Sequence, residues 1–209
     1  VSGGGALPRY IDEFFDAVGI PILEGYGLTE TAPVVSVRIP GREVLGTVGP
    51  PLPETEVIIT DEKGRLLSRG TQGIIRVRGP QVMPGYYKDP KRTAQVIDAE
   101  RWFDTGDLGR LTLTGEITIT GRAKDTIVLL GGENVEPAPI EAKLTESPYI
   151  AQAMAVGQDR KTLGALLIPR WETLQEWAQE RSLSFKEPAG LLKQEAVHIL
   201  YRSEVRRLV

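Results

Sequence analysis

Gly121-Arg122-Ala123-Lys124-Asp125 divides this chain. On its N-terminal side, residues 41–121 read as β-rich, with glycines and prolines every few residues, as between the short strands of a small barrel or sandwich. Residues 56–60 are an expected strand ending at the turn Asp61-Glu62-Lys63-Gly64. Residues 73–78 alternate Ile75 and Val77 with Arg76 and Arg78, the period of a half-buried strand. Residues 108–112 and 116–120 flank Leu113-Thr114-Gly115 and read as a hairpin. On the C-terminal side, an apolar strand is expected at 126–130, a helix at 137–145 with Pro137 near its start, and strands at 150–156 and 163–168. A helix at 171–181 places Trp171, Leu174, Trp177 and Ala178 on one face, and another helix is expected across 188–209. Strand, helix, two strands and two helices make an α+β unit. Upstream, Leu7, Tyr10, Ile11, Phe14, Phe15 and Val18 give a helical stripe closed by Gly19, and residues 20–23 read as a short buried strand.

Composition narrows the chemistry. The 209 residues are 41% hydrophobic and 25% charged, as in an ordinary globular chain. A net charge of −3 gives no electrostatic case for nucleic acid or an anionic surface, and no nucleic-acid partner is expected. There are no cysteines, which removes disulfides and thiolate chemistry and fits a cytoplasmic setting. The one histidine, His198, lies in a late helical pattern, which argues against a histidine triad or a histidine-rich metal site. No apolar run reaches membrane-spanning length. The chain opens at Val1 and runs straight into Ser2-Gly3-Gly4-Gly5, a loop that ordinarily follows a strand. We read this as an internal start within a longer protein, which leaves peripheral membrane association of the parent open.

Three short motifs carry chemistry. In Gly25-Tyr26-Gly27-Leu28-Thr29-Glu30-Thr31, a glycine turn lets backbone and the Thr29 hydroxyl approach a phosphate, Glu30 supplies a hard oxygen for Mg²⁺, and Tyr26 can stack on a purine. The same residues also make an ordinary strand-to-turn with a solvated glutamate. In Trp102-Phe103-Asp104-Thr105-Gly106-Asp107, the last carboxylate can accept from vicinal hydroxyls such as those of ribose, or can simply belong to a turn. Arg122 offers a guanidinium fork for phosphate or ribose, with a surface ion-pair cluster as the plainer reading. The glycine loop at 2–6 reads as anion-binding backbone or as a plain helix lead-in. Leu130-Gly131-Gly132-Glu133-Asn134-Val135 reads as a loop whose backbone takes conformations closed to larger residues, or as a simple β-to-α turn. Tyr10, Phe14, Trp171 and Trp177 read as core.

Taken together, in this order and spacing, the three motifs resemble those of the adenylate-forming (AMP-binding) superfamily of acyl-CoA synthetases, luciferases and peptide-synthetase adenylation domains. The match runs along essentially the whole chain. It implies a β-rich tail of a large N-terminal domain (a small distorted barrel) over 1–121, a hinge at 122–125, and a mobile α+β C-terminal domain over 126–209. It implies an ATP/AMP site at Gly4, Glu24, Gly25, Tyr26, Thr29, Asp107, Arg122 and Lys124, with Thr29 and Glu30 catalytic and Glu30 on the metal. Lys124 falls at the family's hinge, and Gly131, Gly132, Glu133 and Asn134 at the loop facing the acceptor thiol. Gly79-Pro80-Gln81-Val82-Met83-Pro84-Gly85-Tyr86-Tyr87 is similar to long-chain fatty-acid–CoA ligases, and Gly157-Gln158-Asp159 with Leu163-Gly164-Ala165-Leu166 to acyl-ACP synthetases.

The resemblance therefore implies ATP and Mg²⁺ as cofactors, a long-chain fatty acid as substrate, and CoA or acyl carrier protein as acceptor. Two family elements have no counterpart here. One is the Ser/Thr/Gly-rich phosphate loop, and the other is a Pro-x-x-x-x-Gly-Lys segment carrying the adenylation lysine. The piece alone is accordingly expected to be inactive. A smaller departure is Val128, where some relatives carry lysine. The alternatives are a non-catalytic nucleotide-binding module, and an adenylating enzyme for another carboxylate.

Overall fold

Four antiparallel strands that follow one another in sequence make the main sheet: β3 (Glu56–Thr60), β4 (Gly73–Arg78), β5 (Phe103–Leu111) and β6 (Ile117–Arg122). Alternation drives this, since Ile75 and Val77 of β4 are fully buried while Arg76 and Arg78 are not. In the computed structural model, residues 2–5, 7–185 and 187–209 are described. The chain separates into two compact units, Val1–Lys124 and Asp125–Val209. The architecture is mixed α+β, as the pattern predicts. The barrel is a correction: β3 and β6 are the edges of an open sheet, so among the described residues no ring of strands closes.

The first unit also holds α1 (Arg9–Ala17), the short pair β1 (Gly25–Gly27) and β2 (Val34–Val37), a 3-10 turn at Thr29–Thr31, and α2 (Pro90–Val96). The strand expected at 20–23 instead forms at 25–27, because its partner β2 pairs Gly25 with Val37 and Tyr26 with Ser36. Residue 24 joins only an isolated parallel bridge with Ser2. Gly27 has a steric reason: a Cβ there would lie 1.7 Å from the Pro33 carbonyl oxygen. The core comprises Val35, Val48, Ile59, Ile75, Val77, Val82, Ile97, Phe103 and Ile117.

The second unit has the strand pairs β7 (Ile127–Val128) with β8 (Asn134–Val135) and β9 (Ile150–Val156) with β10 (Gly164–Pro169). The helix α3 (Pro137–Leu144) packs on β9. Leu174, Trp177 and Ala178 of α4 (Trp171–Glu180) form a core with Leu191 and Val197. The helix expected across 188–209 is two, α5 (Pro188–Leu192) and α6 (Glu195–Leu208). Gln194 breaks it with extended backbone, its side-chain amide donating to the Ser184 carbonyl at 2.9 Å.

Candidate active site

Asp107 lies on β5, opposite Arg122 on β6 in the strand register. Asp107 is 4% exposed, so its buried carboxylate needs hydrogen-bond and ionic partners. Two are present. The Tyr26 hydroxyl donates to Oδ2 at 2.6 Å, and Arg122 Nε sits 2.9 Å from Oδ1. Burial, then the Asp107 charge and hydrogen bond, push the Tyr26 phenol far up, so it stays protonated and remains a donor. The turn is fixed locally: Thr105 Oγ1 donates to the Ile75 carbonyl at 2.8 Å and accepts the Asp107 amide at 3.1 Å. The Gly106 carbonyl accepts the Ala123 amide at 2.9 Å. Residues from all three motifs, 81 positions apart at one contact, thus meet on one carboxylate.

Glu30 sits in the 3-10 turn, half-buried, beside exposed Thr29. Its Oε1 accepts the Tyr86 hydroxyl at 2.9 Å, and its carbonyl accepts the Met83 amide at 2.8 Å. Among the described residues, no three His, Cys, Asp or Glu gather into a metal cluster. A cation here would take one carboxylate from the protein and fill its shell with phosphate and water oxygens. That donor set suits Mg²⁺, which keeps waters and favours hard oxygens.

The glycine loop meets the Tyr26 loop through Glu24. Ser2 donates its amide to the Leu23 carbonyl at 2.8 Å, and Gly25 donates to the Ser2 carbonyl at 3.0 Å. Gly4 and Gly5 are exposed, and the Ala6 part of this loop lies outside the described residues. The Glu24 carboxylate faces inward: Oε1 accepts the Leu7 amide at 3.3 Å and Oε2 is 3.2 Å from Arg38 Nη2. Arg38, 1% exposed, also makes a two-pronged pair with Asp12 of α1, both contacts 2.7 Å. Burial raises the Glu24 carboxyl above its usual range against the pull of Arg38. For Asp12 burial pushes up too, but hydrogen bonds from Arg38 and the Gly46 amide outweigh it and hold it low.

Lys124 is exposed at the last position of the first unit. In the second unit, Gly131, Gly132, Glu133 and Asn134 are exposed at the tip of the β7–β8 hairpin. The tip is closed by Leu129 and Gly132 amides donating to the Glu133 and Leu129 carbonyls at 2.9 and 2.8 Å. Residues 158–160 brace it, with Leu130 donating to the Arg160 carbonyl at 2.8 Å and Asp159 to the Val128 carbonyl at 3.0 Å.

The structure thus brings Tyr26, Asp107 and Arg122 into one contact group, and turns the Glu24 carboxylate into the framework. Sequence reasoning did not single out Asp12, Arg38 or the role of Tyr86. Tyr86 lies in the stretch 79–87, whose likeness to long-chain ligases implies no role for it, and no local pattern pairs it with residue 30.

Two models described as AMP-binding enzyme and AMP-binding enzyme C-terminal domain match residues 1–87 and 124–188, together most of the chain. Probable acyl-activating enzyme 16, chloroplastic, of Arabidopsis thaliana is 45% identical over 99% of this chain and 30% of its own length. Long-chain-fatty-acid–[acyl-carrier-protein] ligase AEE15, chloroplastic, from the same plant is 48% identical over 87% of this chain and 26% of its own. The chain therefore spans less than a third of these relatives. Among solved structures, the Bacillus subtilis o-succinylbenzoate CoA synthetase in complex with its acyl-adenylate intermediate superposes with a TM-score of 0.74 at 31% identity, covering 90% of this chain and 40% of that one.

Proposed function

Because the chain belongs to the AMP-binding enzyme family, we propose that its site serves ATP-dependent activation of a long-chain fatty acid and transfer of the acyl group to a thiol, that of CoA or acyl carrier protein. The supporting observation is the convergence of Tyr26 and Arg122 on the buried Asp107 carboxylate. The fatty-acyl assignment rests on the relatives named for acyl activation and long-chain ligation.

In the first half-reaction a fatty-acid carboxylate oxygen attacks the α-phosphorus of ATP, and the bond to pyrophosphate breaks. In the second, the thiol sulfur attacks the acyl carbon, AMP leaves, and the thiol proton passes to solvent. Asp107 accepts from the ribose hydroxyls, with Tyr26 holding its Oδ2 in place. Arg122, 63% exposed at its side chain, presents its fork to nucleotide oxygens from its place beside Asp107 Oδ1. Thr29 donates to a phosphate oxygen, and Gly4 and Gly25 line the approach. Glu30 would hold Mg²⁺, which when bound would supply charge stabilisation on the phosphoryl oxygens. Lys124 is the hinge between domains 1–121 and 126–209, and turning there presents Gly131, Gly132, Glu133 and Asn134 to the thiol.

The test is AMP release by the whole protein with ATP, Mg²⁺ and palmitate, supplied with CoA or with acyl carrier protein. Asp107→Ala is expected to lower kcat/KM at least about tenfold, as lost hydrogen bonds to a charged group do. Release with neither acceptor, or an unchanged Asp107→Ala enzyme, would overturn the reading.

A further inference from the structure

Glu30 is tied to a distant segment of the first unit, and the tie runs through one hydroxyl. Tyr86 Oη donates to Glu30 Oε1 at 2.9 Å, across 56 positions. The tyrosine is itself fixed from several sides. Its amide donates to Thr93 Oγ1 at 2.9 Å, and that hydroxyl donates to the Asp89 carbonyl at 2.8 Å. The Arg92 guanidinium lies 4.4 Å over the Tyr86 ring centre. Gly85, at φ +152°, leaves no room for a side chain, since a Cβ would sit 2.7 Å from Thr93 Cγ2. The Met83 amide meanwhile holds the Glu30 carbonyl. So α2 holds Tyr86, and Tyr86 holds one oxygen of Glu30.

We propose that Tyr86 is a positioning residue for the metal-binding carboxylate of Glu30, turning Oε2 towards the cation by occupying Oε1. The inference rests on the reading of Glu30 as the Mg²⁺ ligand. A glutamate has three side-chain torsions, and an unheld one loses conformational freedom each time it binds. A donor already on one oxygen removes part of that cost, as partners of metal-ligating groups generally do. The neighbouring Tyr87 is 87% exposed and serves as an internal control.

The experiment is calorimetric titration of ATP into the whole protein at increasing Mg²⁺, reading the Mg²⁺ concentration that gives half of the full tightening. Tyr86→Phe keeps the ring, the Arg92 contact and the backbone bond to Thr93. It is expected to raise that concentration about tenfold while leaving Mg²⁺-free ATP binding unchanged. Tyr87→Phe is expected to behave as wild type, and Glu30→Gln to lose the Mg²⁺ dependence. If Glu30→Gln retains it, the assignment of Glu30 to the metal falls and this proposal with it. If Glu30→Gln loses it but Tyr86→Phe matches wild type, the proposal alone is overturned. Equal weakening of ATP binding with and without Mg²⁺ in Tyr86→Phe would also overturn it, as general damage to the site.

Discussion

Asp12, Glu24 and Arg38 show what a buried charge demands of its neighbours. All three are under 10% exposed; the arginine fork meets both carboxylates, and the Gly46 and Leu7 amides add to their partners. Replacing Asp12 by Asn leaves that fork short of a negative partner. The change is expected to cost about 3 kcal/mol at pH 7, measured by urea unfolding. The pH dependence has a definite sign. The folded Asp12 carboxyl is held below its ordinary 3.8, so its contribution is complete above that value and is lost as pH falls through the lower folded value. The gap between wild type and Asp12→Asn should hold from neutral pH down to about 4 and narrow below it. Glu24 is shifted the opposite way, and its stabilisation fades as pH rises through its folded value. To the extent that Glu24 titrates alike in both proteins, that part cancels in the difference. Of these residues, only Glu24 could be picked from sequence, beside a recognisable motif. Asp12 and Arg38 sit 26 positions apart, with nothing local to mark them as a pair.

Among the elements, periodic segments were legible and short polar ones were not. The strands at 56–60, 73–78 and 150–156 were read at their observed bounds because one face of each is apolar. The helix α2 escaped notice because none of its residues is buried, so it carries no apolar stripe to read. Its signals were at its start: Asp89 accepts the Arg92 amide at 2.9 Å as an N-cap, and Pro90 follows in the first turn. Asp89→Ala is expected to cost about 1 kcal/mol, read as a lower thermal midpoint. The break between α5 and α6 was illegible for the converse reason, since apolar points continue across it while Gln194 is drawn away by a tertiary contact with Ser184.

At the level of the whole molecule, the two units have separate cores with no residue in common. Unfolding should therefore not reduce to one transition. Of the three tryptophans, Trp102 lies in the first unit and Trp171 and Trp177 in the second. Leu174 is fully buried, and Leu174→Ala should destabilise the second unit by about 2–5 kcal/mol. With Trp102→Phe to isolate Trp171 and Trp177, their fluorescence transition should move to lower urea. In a Trp171→Phe, Trp177→Phe background, the Trp102 transition should stay in place with or without the added leucine change. A shift of both would mean that the units unfold together. The sheet diagram has a consequence in time as well. Every ladder, from β1–β2 to β9–β10, joins strands that are neighbours along the chain. Loop closure between such neighbours costs little entropy. Each ladder can therefore form soon after its second strand leaves the ribosome, without waiting for anything translated later.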